Sequence, residues 1–340
     1  MRQRLISFRL IMGFVILVLL LAGCGGNTVQ TQGTAANTPS SDSNIKAVRE
    51  STSAVAEGQG DTQIINTING DVEIPAHPQR IVTQGYLANF LVFGVKPVGA
   101  PYWELESPHL KPDMVSGIDD IGQITGESVE KIVALQPDLI VTVGGDQKLN
   151  EQYSKIAPTV VFPYGTFDNV HTEMAAFGKI LGKDKEAEAW LTQFDEKVEK
   201  AREAIKDIVK PDQTYSILGA FGKEYYVYGD GVNRGGQAIY QQLGLTPSAS
   251  VKKDLIDKDR DAMDISLENM PEYAGDYIFF DISGDAKFDP DNPVWKSLDA
   301  VKNNRVFYLD PDFFWPYDPI AVEAQVDKVV EMLQKGPDNR

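Results

Sequence analysis

The chain has 340 residues, 42% of them apolar, enough to bury a sizeable core and to form about two domains. A count of 32 Lys and Arg against 49 Asp and Glu gives a net charge of −17, which argues against a nucleic-acid partner. Only one cysteine is present, so no disulfide can form within the chain.

At the N-terminus, Arg2, Arg4 and Arg9 form a basic region, Leu10 to Leu21 is an uncharged apolar run too short for a membrane span, and Leu21-Ala22-Gly23-Cys24 follows. Residues 1–23 read as a secretory signal. Its end resembles the bacterial lipobox, which implies cleavage before Cys24, lipid attachment to that sulfur, and anchorage on the extracytoplasmic face of the cell membrane. Cleavage removes three arginines and no acids, leaving a net charge of −20. Residues 24–60 are rich in Gly, Ser, Thr, Asn, Gln and Ala and read as a disordered tether.

Thr62–Ile68 and Asp71–Ile74 around Asn69-Gly70 predict a hairpin at an edge. Residues 61–182 then alternate strand and helix: strands at Arg80–Thr83, Pro97–Ala100, Leu139–Thr142 and Thr159–Phe162, helices at Leu87–Phe93 and Ser128–Leu135. That is the pattern of an open, mostly parallel sheet with helices on both faces, where ligands sit at the carboxyl ends of the strands. Those ends offer Gln84, Gly85 and Tyr86, then Pro101, Tyr102 and Trp103, then Gly144 and Gly145, then Pro163 and Tyr164.

Residues 183–210 predict one long amphipathic helix of about 26 residues, roughly 39 Å, with Trp190, Phe194, Val198, Ala201, Ile205 and Ile208 on one stripe between Gly182 and Pro211. The chain on either side repeats a single plan. Ser128–Ile140 and Ser266–Ile278 match without a gap at Ser, Glu, Asp and Ile; Phe93–Pro97 resembles Leu243–Pro247, and Thr159–Phe162 resembles Arg305–Tyr308. Two α/β lobes, 61–182 and 211–340, joined by a bridging helix, account for this economically.

In the second lobe, strands are expected at Tyr215–Ala220, Tyr225–Tyr228, Tyr277–Phe280 and Val306–Leu309, with a closing helix from Pro319 to Leu333. Gly229–Gly236 is a glycine-rich loop that fits neither dinucleotide nor P-loop spacing; it reads as a close backbone turn that sends Arg234 into a cleft, the alternative being a surface ion pair. Asp312–Asp318 is an aromatic loop whose rings serve either core or cleft. His77, His109 and His171 have no metal-ligand spacing, and Asp257–Glu268 lacks the glycine a calcium loop needs at position six. No GxSxG, reactive cysteine or histidine cluster points to an enzyme.

Ile74–Val82, Gly94–Gly99, Glu130–Ile140, Ala157–Val160, Tyr228–Gly236 and Trp315–Pro319 resemble the iron-siderophore substrate-binding lipoproteins of ABC importers, closest to the ferric-hydroxamate type. Cobalamin- and haem-binding relatives share the strand and helix motifs. The resemblance implies two doubly wound lobes on a helical backbone with little hinge motion, and a monomer with no cofactor whose ligand is a ferric siderophore. Many hydroxamate binders have tryptophan two residues before the loop arginine; Val232 stands there in this chain. The resemblance also implies that Glu130 and Glu268 meet arginines on the permease subunits. Tyr86, Tyr102, Trp103, Trp315 and Tyr317 are expected to wall the cleft, with Arg234 on the oxygens around the metal. Only Arg234 is placed as a cation, Lys148, Lys223 and Lys287 having no motive, so a hydroxamate or citrate-hydroxamate is expected over a triply anionic catecholate.

Overall fold

The computed structural model describes residues 61–67, 70–123, 129–144, 146–231, 234–284 and 286–337, so the signal, Cys24 and the tether lie outside the described residues. Strands β1 (Thr62–Thr67) and β2 (Gly70–Pro75) pair antiparallel, and Gly70 at the turn has φ +103°, a conformation that favours glycine. Ile65 and Ile74 face the core, and Gln63 Nε2 donates to the Ile180 carbonyl at 2.9 Å.

The first lobe holds β3 (Ile81–Gln84), α1 (Leu87–Val92), β4 (Gly99–Ala100), α2 (Tyr102–Leu105), β5 (Asp119–Asp120), α3 (Val129–Leu135), β6 (Leu139–Thr142) and β7 (Thr159–Val161). All five strands of its sheet run parallel in the order β5-β4-β3-β6-β7. β3, β6 and β7 are buried along their whole length, as strands covered on both faces must be, which is why, Gln84 at the end of β3 apart, they read as runs of Ile, Val, Leu and Thr.

The second lobe repeats that order. β8 (Tyr215–Phe221), β9 (Glu224–Tyr228), β10 (Ala262–Ile265), β11 (Tyr277–Ser283) and β12 (Val306–Leu309) stand as β10-β9-β8-β11-β12. The matched segments Ser128–Ile140 and Ser266–Ile278 lead into β6 and β11, each the strand beside the first strand of its sheet. One edge departs from the plan: β9 and β10 run antiparallel, where β4 and β5 are parallel. Because β10 occupies Ala262–Ile265 and Asp257 pairs with Lys252, the acidic stretch there is strand and surface ion pair rather than a ligand loop.

Between the lobes, α4 (Val170–Leu181) starts in a capping box between Asn169 and Thr172 and ends at Gly182, φ +63°. The bridging helix α5 spans Asp184–Ile205, 22 residues and about 33 Å, shorter than the sequence suggests. Beyond Ile205 the backbone tightens, with the Ile208 N–H donating to the Ile205 carbonyl at 2.9 Å, so Ile208 leaves the stripe and is exposed. Ala187, Phe194, Val198, Ala201 and Ile205 are buried, and Trp190 stacks on Phe194 at 5.3 Å. The last helix, α6 (Pro319–Lys335), packs against α5, against α1 and α4 of the first lobe, and against the helical segment Gln237–Gln242 of the second. It therefore belongs to both lobes, although the sequence places it with the second.

Phe194 is fully buried where α5 carries the core from one lobe to the other. Phe194→Ala should lower the unfolding free energy by about 3–5 kcal/mol, read from urea denaturation, with one transition and no separate unfolding of the lobes.

Candidate functional site: a cleft between the lobes

The carboxyl ends of β3, β4 and β7 and the segment after β12 enclose a cleft of about 670 Å³, within the usual size of a small-ligand site. Tyr102, Trp103, Trp315 and Tyr317 line it as the sequence predicts, joined by Tyr164. Tyr102, Trp103 and Trp315 are 39%, 44% and 49% exposed, a large amount of aromatic surface for a folded domain to leave in water. Tyr164 and Tyr317 meet edge to face at 5.4 Å, one ring from each side of the cleft.

Tyr86 is not a wall. It is 3% exposed, its ring sits among Phe162, Phe167 and Phe177, and its hydroxyl donates to the Phe162 carbonyl at 2.7 Å. A tyrosine at a strand end can turn either way, and this one meets its hydroxyl's partner inside the lobe.

Arg234 is likewise not free in the cleft. It is 4% exposed, its Nε donates to Asp281 Oδ2 at 2.7 Å and its Nη2 to Ser283 Oγ at 3.0 Å. Trp315 covers it, with the guanidinium carbon 3.8 Å from the indole centroid, and Tyr228 flanks it at 5.5 Å. The residue holds φ +48°, a left-handed conformation costing a non-glycine residue about 1–2 kcal/mol. The neighbouring glycines serve backbone contact rather than a ligand: a Cβ on Gly236 would lie 2.4 Å from the Gly229 carbonyl oxygen. Val232 falls outside the described residues.

Four carboxylates, Glu104, Glu106, Asp312 and Asp318, also line the cleft, and the sequence assigns none of them to it. Glu104, on α2, is buried and accepts the Gly85 N–H and the Leu87 N–H, each at 2.7 Å, so it clamps the turn between β3 and α1. Burial pushes its carboxyl up to about 7, the two N–H groups oppose that, and Asp318 adds to it. Asp318 caps α6, accepting the Ala321 N–H at 2.9 Å, and burial raises its pKa as well. A Glu after Tyr-Trp was visible in the sequence, but nothing local says that it folds back onto residues 17 and 19 positions earlier.

The profile of the periplasmic binding protein family matches residues 81–313. The chain belongs to that family. It is 37% identical over 334 residues to the iron(3+)-hydroxamate-binding protein YxeB of Bacillus subtilis, covering 96% of both chains. Among solved structures, the FhuD protein from S. pseudintermedius superposes with a TM-score of 0.72 at 27% identity, covering 82% of this chain and 100% of that one. A FhuD fold-family component of a ferrichrome ABC transporter from Bacillus subtilis gives 0.68 at 37% identity, with 79% and 99% covered. These neighbours share the two α/β lobes of this periplasmic binding protein.

The histidines are dispersed through this fold. His171 Nε2 pairs with Asp195 at 2.8 Å on the bridging helix, and His77 lies beside Gly182. His109 Nε2 bonds the Phe313 carbonyl at 2.8 Å, tying a first-lobe loop to the aromatic segment after β12. Glu130 and Glu268 are both exposed, in the first turns of helical segments at matching places in the two lobes.

Behind the cleft, Glu173 sits with Tyr86, Gln237 and Tyr317 around a void of about 10 Å³. Burial pushes its carboxyl up to about 8, with Asn89 opposing and Asp318 adding. A folded pKa above the unfolded value means the native state holds the proton more tightly, so this group's contribution to stability is lost as pH rises from about 4.5 toward 8. Glu173→Gln, which cannot ionise, should therefore raise the melting temperature relative to the parent more at pH 8 than at pH 5 in scanning calorimetry.

Proposed function

We propose that this protein captures a ferric hydroxamate chelate in the cleft and delivers it to the permease of an ABC importer, acting as a monomer at the extracytoplasmic face of the membrane with a lipid on Cys24 as its anchor. The observation that carries the reading is the 37% identity, over 96% of both chains, to a protein that binds iron(3+)-hydroxamate. The cleft supports it. Exposed aromatic rings suit the organic shell of a chelate, and hydroxamate oxygens already hold the iron, so the protein need supply no metal ligands of its own. Catalysis has no part in this role.

Docking on the permease is assigned to Glu130 and Glu268, one on each lobe and both accessible. Arg234 supports Trp315 from beneath. Contact between its guanidinium and hydroxamate oxygens requires Trp315 to swing aside.

Tryptophan fluorescence titrated with ferric hydroxamates, citrate-hydroxamates, catecholates, haem and cobalamin tests the reading. Hydroxamates should bind tightest, and tighter binding of haem or cobalamin would overturn it. Trp315→Ala should weaken hydroxamate binding by roughly 1.5–3 kcal/mol, the scale of one large apolar side chain, with circular dichroism unchanged. Arg234→Ala should weaken binding and also destabilise the fold by about 3–5 kcal/mol, because Asp281 is left buried without its cation. The pair Glu130→Ala with Glu268→Ala should abolish uptake by cells while leaving affinity intact; normal uptake would refute the docking role.

A further inference from the structure

We infer that the cleft sorts ferric hydroxamates by charge, favouring a chelate that carries a free ammonium group over neutral and anionic chelates of the same size. This rests on the siderophore reading and deepens it. The charged side chains lining the cleft are Glu104, Glu106, Asp312 and Asp318, and among the described residues no Lys or Arg lines it. Arg234, beneath the wall, is already neutralised by Asp281 and covered by Trp315. Lys148, Lys223 and Lys287, for which the sequence gives no motive as counter-charges, are exposed and do not line the cleft.

Glu104 and Asp318 come from the two sides of the cleft, within electrostatic reach of each other. The partners of Glu104 are backbone N–H groups, and Asp318 caps a helix; neither forms an ion pair among the described residues. His109, whose Nε2 bonds the Phe313 carbonyl, lies near enough to Asp318 to oppose part of the rise in its pKa. Burial moves both carboxyls toward the neutral form, and a ligand ammonium beside them would favour the charged form instead. Glu106 and Asp312 are exposed on the lining, where like charges raise the local concentration of cations and repel anions. The cleft thereby separates the hydroxamates from the citrate-hydroxamates that the sequence leaves together.

The test uses one linear ferric trihydroxamate with a free terminal amine and the same chelate with that amine acetylated, titrated calorimetrically into the mature protein. At about 0.01 M ionic strength, where charges are felt over about 30 Å, the free amine should bind about fivefold to tenfold tighter, and the gap should shrink near 1 M, where screening falls to about 3 Å. Combining Glu106→Gln with Asp312→Asn, both at exposed positions, should narrow the gap. Equal affinities at low salt, tighter binding of the acetylated chelate, or a full gap in the double variant would each overturn the inference while leaving the siderophore reading standing. Failure of folded protein to bind either chelate would overturn that reading and the inference with it.

Discussion

One apolar core runs through both lobes by way of α5 and α6, and the cleft depends on it. Phe90 and Phe177 of the first lobe, Phe194 of the bridging helix, Ile239 and Phe314 of the second lobe, and Val326 and Val329 of α6 are buried members of a single cluster. Rotating one lobe against the other would expose part of that seam to water, at about 25 cal/mol per Å² of apolar surface. The width of the cleft is thus set by packing on its far side.

Polar groups near the cleft are handled in two ways. Arg234 and Asp281 form a buried pair that is electrically closed, with Ser283 adding a hydrogen bond to each of them. Glu104 and Asp318 instead commit their oxygens to backbone N–H groups, which fixes a turn and a helix start but leaves two carboxyl groups on the cleft lining with no Lys or Arg beside them among the described residues. The first arrangement holds an aromatic wall in place; the second sets the electrostatic character of the space in front of it. Both require side chains that tertiary structure, rather than chain neighbourhood, brings together.

The repeat shows what a duplicated plan conserves in physical terms. Strand order and the helix-to-strand entry into β6 and β11 are common to both lobes, because each sheet must bury the same two faces. The edge strands are less constrained. β9 runs against the rest of its sheet, where β4 runs with it, and the glycine-rich loop that follows β9 carries Arg234 beneath the cleft wall.

Much of the fold is legible in the sequence because it rests on neighbours in the chain. Apolar runs mark β6 and β12 to the residue, the Asn-Gly pair marks the first hairpin, and the stripe on α5 follows the helical period. Four cleft aromatics follow from the rule that ligands gather at strand ends, since Tyr102, Trp103, Trp315 and Tyr317 all lie just past strands. That rule could not say which way a side chain turns, so Tyr86 went into the core to meet a carbonyl 76 residues on. Nor does local pattern reveal charge pairing: Asp281 neutralises Arg234 from 47 residues away, and His109 reaches a carbonyl 204 residues on. Periodicity and turn chemistry act over a few residues and so are written in the sequence, whereas burial and pairing depend on which distant segments the core brings into contact.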